Sequence, residues 1–180
     1  CPECPSGLKQ FTRPEGNLKT DVYKKVIDEV KHHAFYLNFY FQGEPFINPD
    51  FLGMVSYANQ QKIYTATSTN AHFLSDKKAE ETVKSGLSRL TISETYESYR
   101  KQGELVKVLE GARNILKWKK ELKSKTPYVI FQFLVVKPNE HQIEEAKQLA
   151  EEIGVDEIRF KTAQLYDYKH GNELMPSIEK

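Results

Sequence analysis

Apolar residues recur along this chain at two alternating periods, about 3.6 and about 2 residues, and each change of period marks a new element. Val22, Tyr23, Val26, Ile27 and Val30 fall at helical spacing and predict an amphipathic helix over Asp21–Lys31. The aromatic run Phe35–Phe41 predicts a strand, ended by Gln42-Gly43-Glu44-Pro45. Asn48-Pro49-Asp50 offers a capping side chain followed by proline at the first helical position, so a helix is expected from there to about Gln60. Lys62–Thr67 alternates as a strand and stops at Ser68-Thr69-Asn70. Ser75 caps a third helix that turns Ala79 and Val83 inward and closes at Gly86.

The alternation then repeats. Leu87–Ser93 predicts a strand, and a long helix follows to about Lys123 with Leu105, Leu109, Ala112 and Leu116 on one face. Pro127–Val136 is an almost unbroken apolar strand, as burial on both faces requires. Glu140–Ile153 predicts a helix carrying Ile143, Ala146, Leu149 and Ile153 inward and stopped by Gly154; Asp156–Thr162 is the last strand. Strict strand–helix alternation means an α/β fold of parallel strands joined by right-handed crossovers. Five strands are visible, and a sixth is expected ahead of Cys1. The preferred architecture is an open, partial TIM-like (β/α)6 barrel formed by residues 1–180 as one domain; a doubly wound sheet is the alternative. One join is abrupt. Leu90–Ser93 passes into the helical pattern of Glu94–Arg100 with no turn residues, so a loop is expected to be absent between Ser93 and Glu94.

Composition narrows the partners. Lys and Arg number 26 against 25 Asp and Glu, so the chain has no charge bias toward nucleic acid or an acidic membrane surface. No apolar run reaches membrane-spanning length. Two cysteines in 180 residues argue against a disulfide scaffold and fit a reducing cytoplasm. Adjacent His32 and His33 near a helix end read as solvated, Lys117–Lys125 as an outer helix face, and Trp118 as a packing residue.

In parallel sheets, chemistry collects at the carboxyl ends of the strands, and the unusual residues of this chain fall there. They are Cys1 and Cys4, Gln42 to Pro45, Ser68-Thr69-Asn70, Ser93, Lys137-Pro138-Asn139, and Lys161 to Gln164. Taken alone each has an ordinary reading. Cys1-x-x-Cys4 is also a zinc half-site or a redox dithiol, Gly43-Glu44-Pro45 a turn, Ser93 a strand terminus, and Arg100 a surface partner for Glu97. Gln132, between Phe131 and Phe133, points the opposite way from both and so toward the barrel interior.

Taken together, these motifs resemble the core of the radical S-adenosylmethionine enzymes. Cys1-x-x-Cys4 resembles the last two ligands of their Cys-x3-Cys-x2-Cys motif, and Gly43-Glu44-Pro45 resembles their Gly-Gly-Glu-Pro motif with Gln42 in place of the first glycine. The resemblance spans the chain, extends to Ser93, Arg100 and Val135–Asn139, and is nearest the subgroup carrying a cysteine-rich SPASM domain after the barrel. It implies a 4Fe-4S cluster held by Cys1, Cys4 and a third cysteine upstream across the motif's three-residue spacing. It implies S-adenosyl-L-methionine on the open iron, reductive release of a 5′-deoxyadenosyl radical, and hydrogen abstraction from a peptide or protein, with an external electron donor. On this reading Gly43 lets backbone approach the nucleotide, Glu44 balances its ammonium and Arg100 takes its carboxylate. Gln42, Pro45, Ser68, Asn70, Ser93, Gln132 and Lys161 complete the nucleotide site, with the Ile158–Lys161 backbone beside adenine; Gln164–Tyr168 is expected near the substrate pocket.

Two other functions use the same residues. A barrel without a cluster would serve as a peptide-binding scaffold. A thiol–disulfide oxidoreductase would use Cys1 and Cys4 directly, although Pro2, Pro5 and Gly7 are poor material for the helix such a motif starts.

Overall fold

The computed structural model describes residue 12 and residues 14–41, 43–94, 104–163 and 170–177. Strands β1 (Tyr36–Asn38), β2 (Tyr64–Thr69), β3 (Arg89–Glu94), β4 (Tyr128–Val135) and β5 (Glu157–Thr162) alternate with helices α1 (Thr20–Val30), α2 (Phe51–Gln60), α3 (Asp76–Lys84), α4 (Leu105–Glu121) and α5 (Ile143–Ile153). All five strands are parallel and hydrogen-bonded in chain order, β1-β2-β3-β4-β5. A doubly wound sheet reverses its strand order partway and covers both faces with helices. Here the order never reverses, and residues of α2 to α5 pack with Leu90, Ile92, Val129 and Phe131 in one core. The chain therefore winds in a single direction, as a partial (β/α) barrel does. The strand expected ahead of Cys1 falls outside the described residues.

Register separates the two faces of this sheet. Thr67, Leu90 and Val129 are neighbours on the helix side, as are Thr69, Ile92, Phe131 and Ile158. Period-two alternation then puts Ser68, Thr91, Ser93, Gln132, Arg159 and Lys161 on the opposite, concave side. The helix side is dry: Leu90, Ile92, Val129, Phe131 and Phe133 are completely buried. The concave side mixes hydroxyl, amide and charged groups with Ile130 and Leu134, whereas a closed barrel fills that space with branched apolar side chains throughout.

Local chemistry moves several element boundaries. Lys62 adopts a left-handed conformation (φ 62°), so β2 starts at Tyr64 and continues through Ser68 and Thr69. Glu94 extends β3 beside Phe133 and α4 begins at Leu105. The segment between them, residues 95–103, lies outside the described residues. A 3-10 turn over Lys137–Gln142 delays α5 to Ile143. The expected strand Phe35–Phe41 shortens to three residues: Phe39 still donates to the Ala66 carbonyl at 2.8 Å, but the Asn38 side chain donates through Nδ2 to the Tyr40 carbonyl at 3.3 Å. Val22 and Val26 stay exposed because α1 meets its neighbours through Tyr23 and Ile27. In α4 the buried stripe is Val108, Gly111, Ala112 and Ile115, with Leu105, Leu109 and Leu116 only half-buried. Gly111 is the reason: a Cβ there would stand 2.7 Å from the Ala71 carbonyl oxygen, so the closest approach needs glycine. His32 and His33 are exposed, and Trp118 packs against the core while its indole donates to Asp76 at 3.2 Å.

Tyr23 ties α1 to α2 through a bond from its hydroxyl to the Met54 carbonyl at 2.9 Å. Burial, and secondarily the nearby Tyr57, pushes that hydroxyl well above the usual tyrosine range. The unfolded chain releases its proton near pH 10 while the folded chain retains it. Stability from Tyr23 is thus fully present below about pH 10 and lost as pH rises further. Tyr23→Phe is expected to cost about 0.5–1.5 kcal/mol near neutrality and to make the alkaline loss shallower, read from urea melts on either side of pH 10. An alkaline limb as steep as that of the parent would contradict this.

Candidate functional site

Glu44 organises the carboxyl edge of the sheet between β1 and β2. Its Oε1 accepts from the Thr69 hydroxyl at 2.8 Å and from the Phe46 amide at 3.2 Å, and its Oε2 accepts from the Asn70 amide at 2.8 Å. The local sequence makes this possible. Gly43 takes a left-handed φ of 88° that turns the chain out of the edge strand, Pro45 opens a 3-10 turn, and buried Phe46 anchors it edge-on to Phe51 at 5.0 Å. Thr69 and Asn70 stand at the very end of β2. The Thr69 hydroxyl also accepts from the Ala71 amide, and Asn70 Oδ1 accepts from the His72 amide, each at 3.0 Å. Ala71 is held with φ 63°, a conformation costly for a residue with a side chain, and α4 backs it at Gly111. Gly111→Ala is expected to destabilise the fold by about 1–3 kcal/mol and to disturb this edge, since backbone must yield. Thermal melting checks the first effect, and an unchanged melting point would contradict the packing.

The charge balance at Glu44 is distinctive. A carboxylate offers about four acceptor positions. Three are filled by neutral donors, and no lysine, arginine or histidine pairs with it among the described residues. The half-buried anion is fixed in place, retains one acceptor position on Oε2, and lacks a counter-charge among the described residues. A Cβ added at Gly43 would meet nothing within 4 Å, so the adjoining backbone is open to a ligand. This donor set fits an ammonium-bearing ligand.

The other candidates line the concave side of the same edge. Ser93 and Gln132 are register neighbours on β3 and β4, both half-buried, with Arg159 next in the row. Ser68 lies beside Thr91 one row lower. At about 4.8 Å per strand, Gln132 stands roughly 10 Å across the sheet from β2. Asn139 steadies this end of β4: wholly buried, it donates to the Leu134 carbonyl at 2.9 Å and accepts from the Val136 amide at 2.8 Å. Lys161 is exposed beside Leu134 on β5, away from Glu44. Cys1, Cys4, Gln42, Arg100 and Gln164–Tyr168 lie outside the described residues. Among those described, no group of three His, Cys, Asp or Glu could hold a metal, and no helix is long and apolar enough to cross a membrane. The sequence places Thr69 at this edge but does not pair it with Glu44. The available signal was Glu44 itself, a half-buried carboxylate that needs donors from the neighbouring strand end.

Known proteins share this plan. No family model matches the chain. It is 26% identical over 187 residues to the PqqA peptide cyclase of Bradyrhizobium diazoefficiens, covering 99% of this chain and 47% of that one. It is 24% identical over 150 residues to the tungsten-containing aldehyde ferredoxin oxidoreductase cofactor-modifying protein of Pyrococcus furiosus, covering 79% and 42%. The chain therefore spans about half the length of these relatives. Among solved structures, anSMEcpe with bound AdoMet and the Kp18Cys peptide superposes with TM-score 0.70 at 15% identity, covering 91% of this chain and 48% of that one. Streptococcus suis SuiB bound to S-adenosylmethionine gives 0.65 at 14%, covering 87% and 36%. Sequence similarity along almost the whole chain, the singly wound parallel sheet and the Gly43-Glu44-Pro45 edge coincide, and the chain is similar to the core of the radical S-adenosylmethionine superfamily.

Proposed function

We propose that this chain is the core of a radical S-adenosylmethionine enzyme that acts on a peptide or protein. The observation that carries the reading is Glu44: an immobilised carboxylate without a cationic partner among the described residues, at the edge where this fold binds ligands. On this reading Glu44 neutralises the ammonium of S-adenosyl-L-methionine, Gly43 admits it to the backbone, and Arg100 takes its carboxylate. Ser68, Asn70, Ser93 and Gln132 offer hydrogen bonds to the nucleoside, with Lys161 and its backbone at the far side. Pro45 fixes the turn that carries Glu44, and Gln42 precedes it. Cys1 and Cys4 supply thiolates to a 4Fe-4S cluster. When bound, cluster and nucleotide supply one-electron scission of a carbon–sulfur bond and a 5′-deoxyadenosyl radical that takes hydrogen from the substrate.

A peptide substrate is supported by the resemblance to a peptide cyclase and to an enzyme solved with a peptide bound. An external one-electron donor completes the reaction, and the reducing cytoplasm is the compartment that keeps such thiolates free. Anaerobic reconstitution with iron and sulfide is expected to give a brown protein with thiolate-to-iron absorption. A colourless product containing only zinc would overturn the reading.

A further inference from the structure

On the concave side of β3, four residues before Ser93, Arg89 has no counter-charge among the described residues. Its Nη2 donates to the Tyr36 hydroxyl at 2.6 Å, and its guanidinium carbon lies 5.7 Å from the centre of the same ring. Tyr36 stacks on Tyr64 with centroids 5.6 Å apart and planes 13° from parallel. Both tyrosines remain 42% exposed, so the pair walls an accessible surface. Arg89 itself is half-buried, and its Nε is inaccessible and without a hydrogen-bond partner. No described carboxylate forms an ion pair with it. The acid on this side of the sheet, Glu157, is held by Arg159 at 2.6 Å, and Tyr128 leans on the Asp156 carbonyl at 3.3 Å. Among the described strand residues of this side, Arg89, Arg159 and Lys161 thus face one acid, an excess of positive charge although the chain is nearly neutral.

A guanidinium removed in part from water and given a single neutral partner is poorly compensated, and its planar fork suits a carboxylate. We propose that Arg89, flanked by Tyr36 and Tyr64, is a recognition site for a carboxylate of the peptide substrate. Arg89 stands about 13 Å from Ser93 along β3, at ~3.3 Å per residue. It would therefore anchor the peptide some four extended residues from the nucleotide edge. The inference rests on the peptide reading of the function. Its test needs neither cluster nor nucleotide, so it can fail while that reading survives.

Three dye-labelled heptapeptides distinguish the sources of the carboxylate. One carries an internal glutamate and an amidated end, one a glutamine and a free carboxyl terminus, and one a glutamine and an amidated end. Fluorescence anisotropy is expected to show at least one acidic peptide binding roughly tenfold more tightly than the neutral one. That preference should vanish in Arg89→Gln. In the unaltered protein it should fade between 0.01 and 1 M salt, as the screening length falls from about 30 to about 3 Å. The salt series stands even if the variant folds poorly. Absence of binding by all three peptides, equal binding by all three, a preference that survives in folded Arg89→Gln, or one indifferent to salt would overturn the proposal.

Discussion

Glu44→Gln is expected to weaken S-adenosylmethionine binding roughly 10- to 100-fold in a protein that still folds. The isosteric amide keeps one acceptor oxygen but turns its other end into a donor. Whichever way it is flipped, an –NH2 group then faces either the Asn70 amide or the Thr69 hydroxyl and Phe46 amide. One tie across the β1–β2 edge is lost, together with the full negative charge. A hydrogen bond to a charged group contributes about 1.5–3 kcal/mol, which corresponds to the stated range. Calorimetric titration of the anaerobically reconstituted protein reads the effect. Thr69→Val separates the two contributions, because it removes a strut of Glu44 and leaves the charge. It should cost stability and weaken binding less than Glu44→Gln does. Unchanged affinity in Glu44→Gln would show that the carboxylate serves only to fasten the loop.

Phe131→Ala is expected to cost about 3–5 kcal/mol of folding stability. Phe131 is completely buried, sits between Ile92 and Ile158 in register, and packs into the core that α2 to α5 share. A domain of this kind has only about 5–15 kcal/mol to lose, so the variant should unfold at far lower urea with an unchanged slope. The adjacent Gln132→Ala, on the concave side, should shift the midpoint much less. Similar losses at both positions would mean that the two faces of β4 have been assigned wrongly.

Much of this was legible in the sequence, for physical reasons. Period-two alternation on β4 was enough to turn Gln132 away from Phe131 and Phe133, and the register confirms the parity. Strand–helix alternation was enough for parallel strands, and the concave placement of Ser68, Ser93, Gln132 and Lys161 follows from the same period. What escaped depends on contacts between distant residues. Arg89 meets Tyr36 across 53 positions, and Glu44 meets Thr69 across 25, separations that no local pattern encodes. On α4 the expected face included Ala112, which is buried, but its leucines lie at the margin of the core, because the close approach to Ala71 centres the buried stripe on Gly111 and Ala112. The end of β2 was placed two residues early because serine and threonine read as turn formers, yet parallel pairing with Thr91 and Ile92 keeps Ser68 and Thr69 in the strand.

The most direct test of the central reading is anaerobic incubation of the full chain, reconstituted with iron and sulfide, with dithionite and S-adenosylmethionine, followed by quantification of 5′-deoxyadenosine. The parent should form it and Cys4→Ser should form none; a serine variant that cleaves as well as the parent, or a brown parent that yields no 5′-deoxyadenosine, would contradict the assignment.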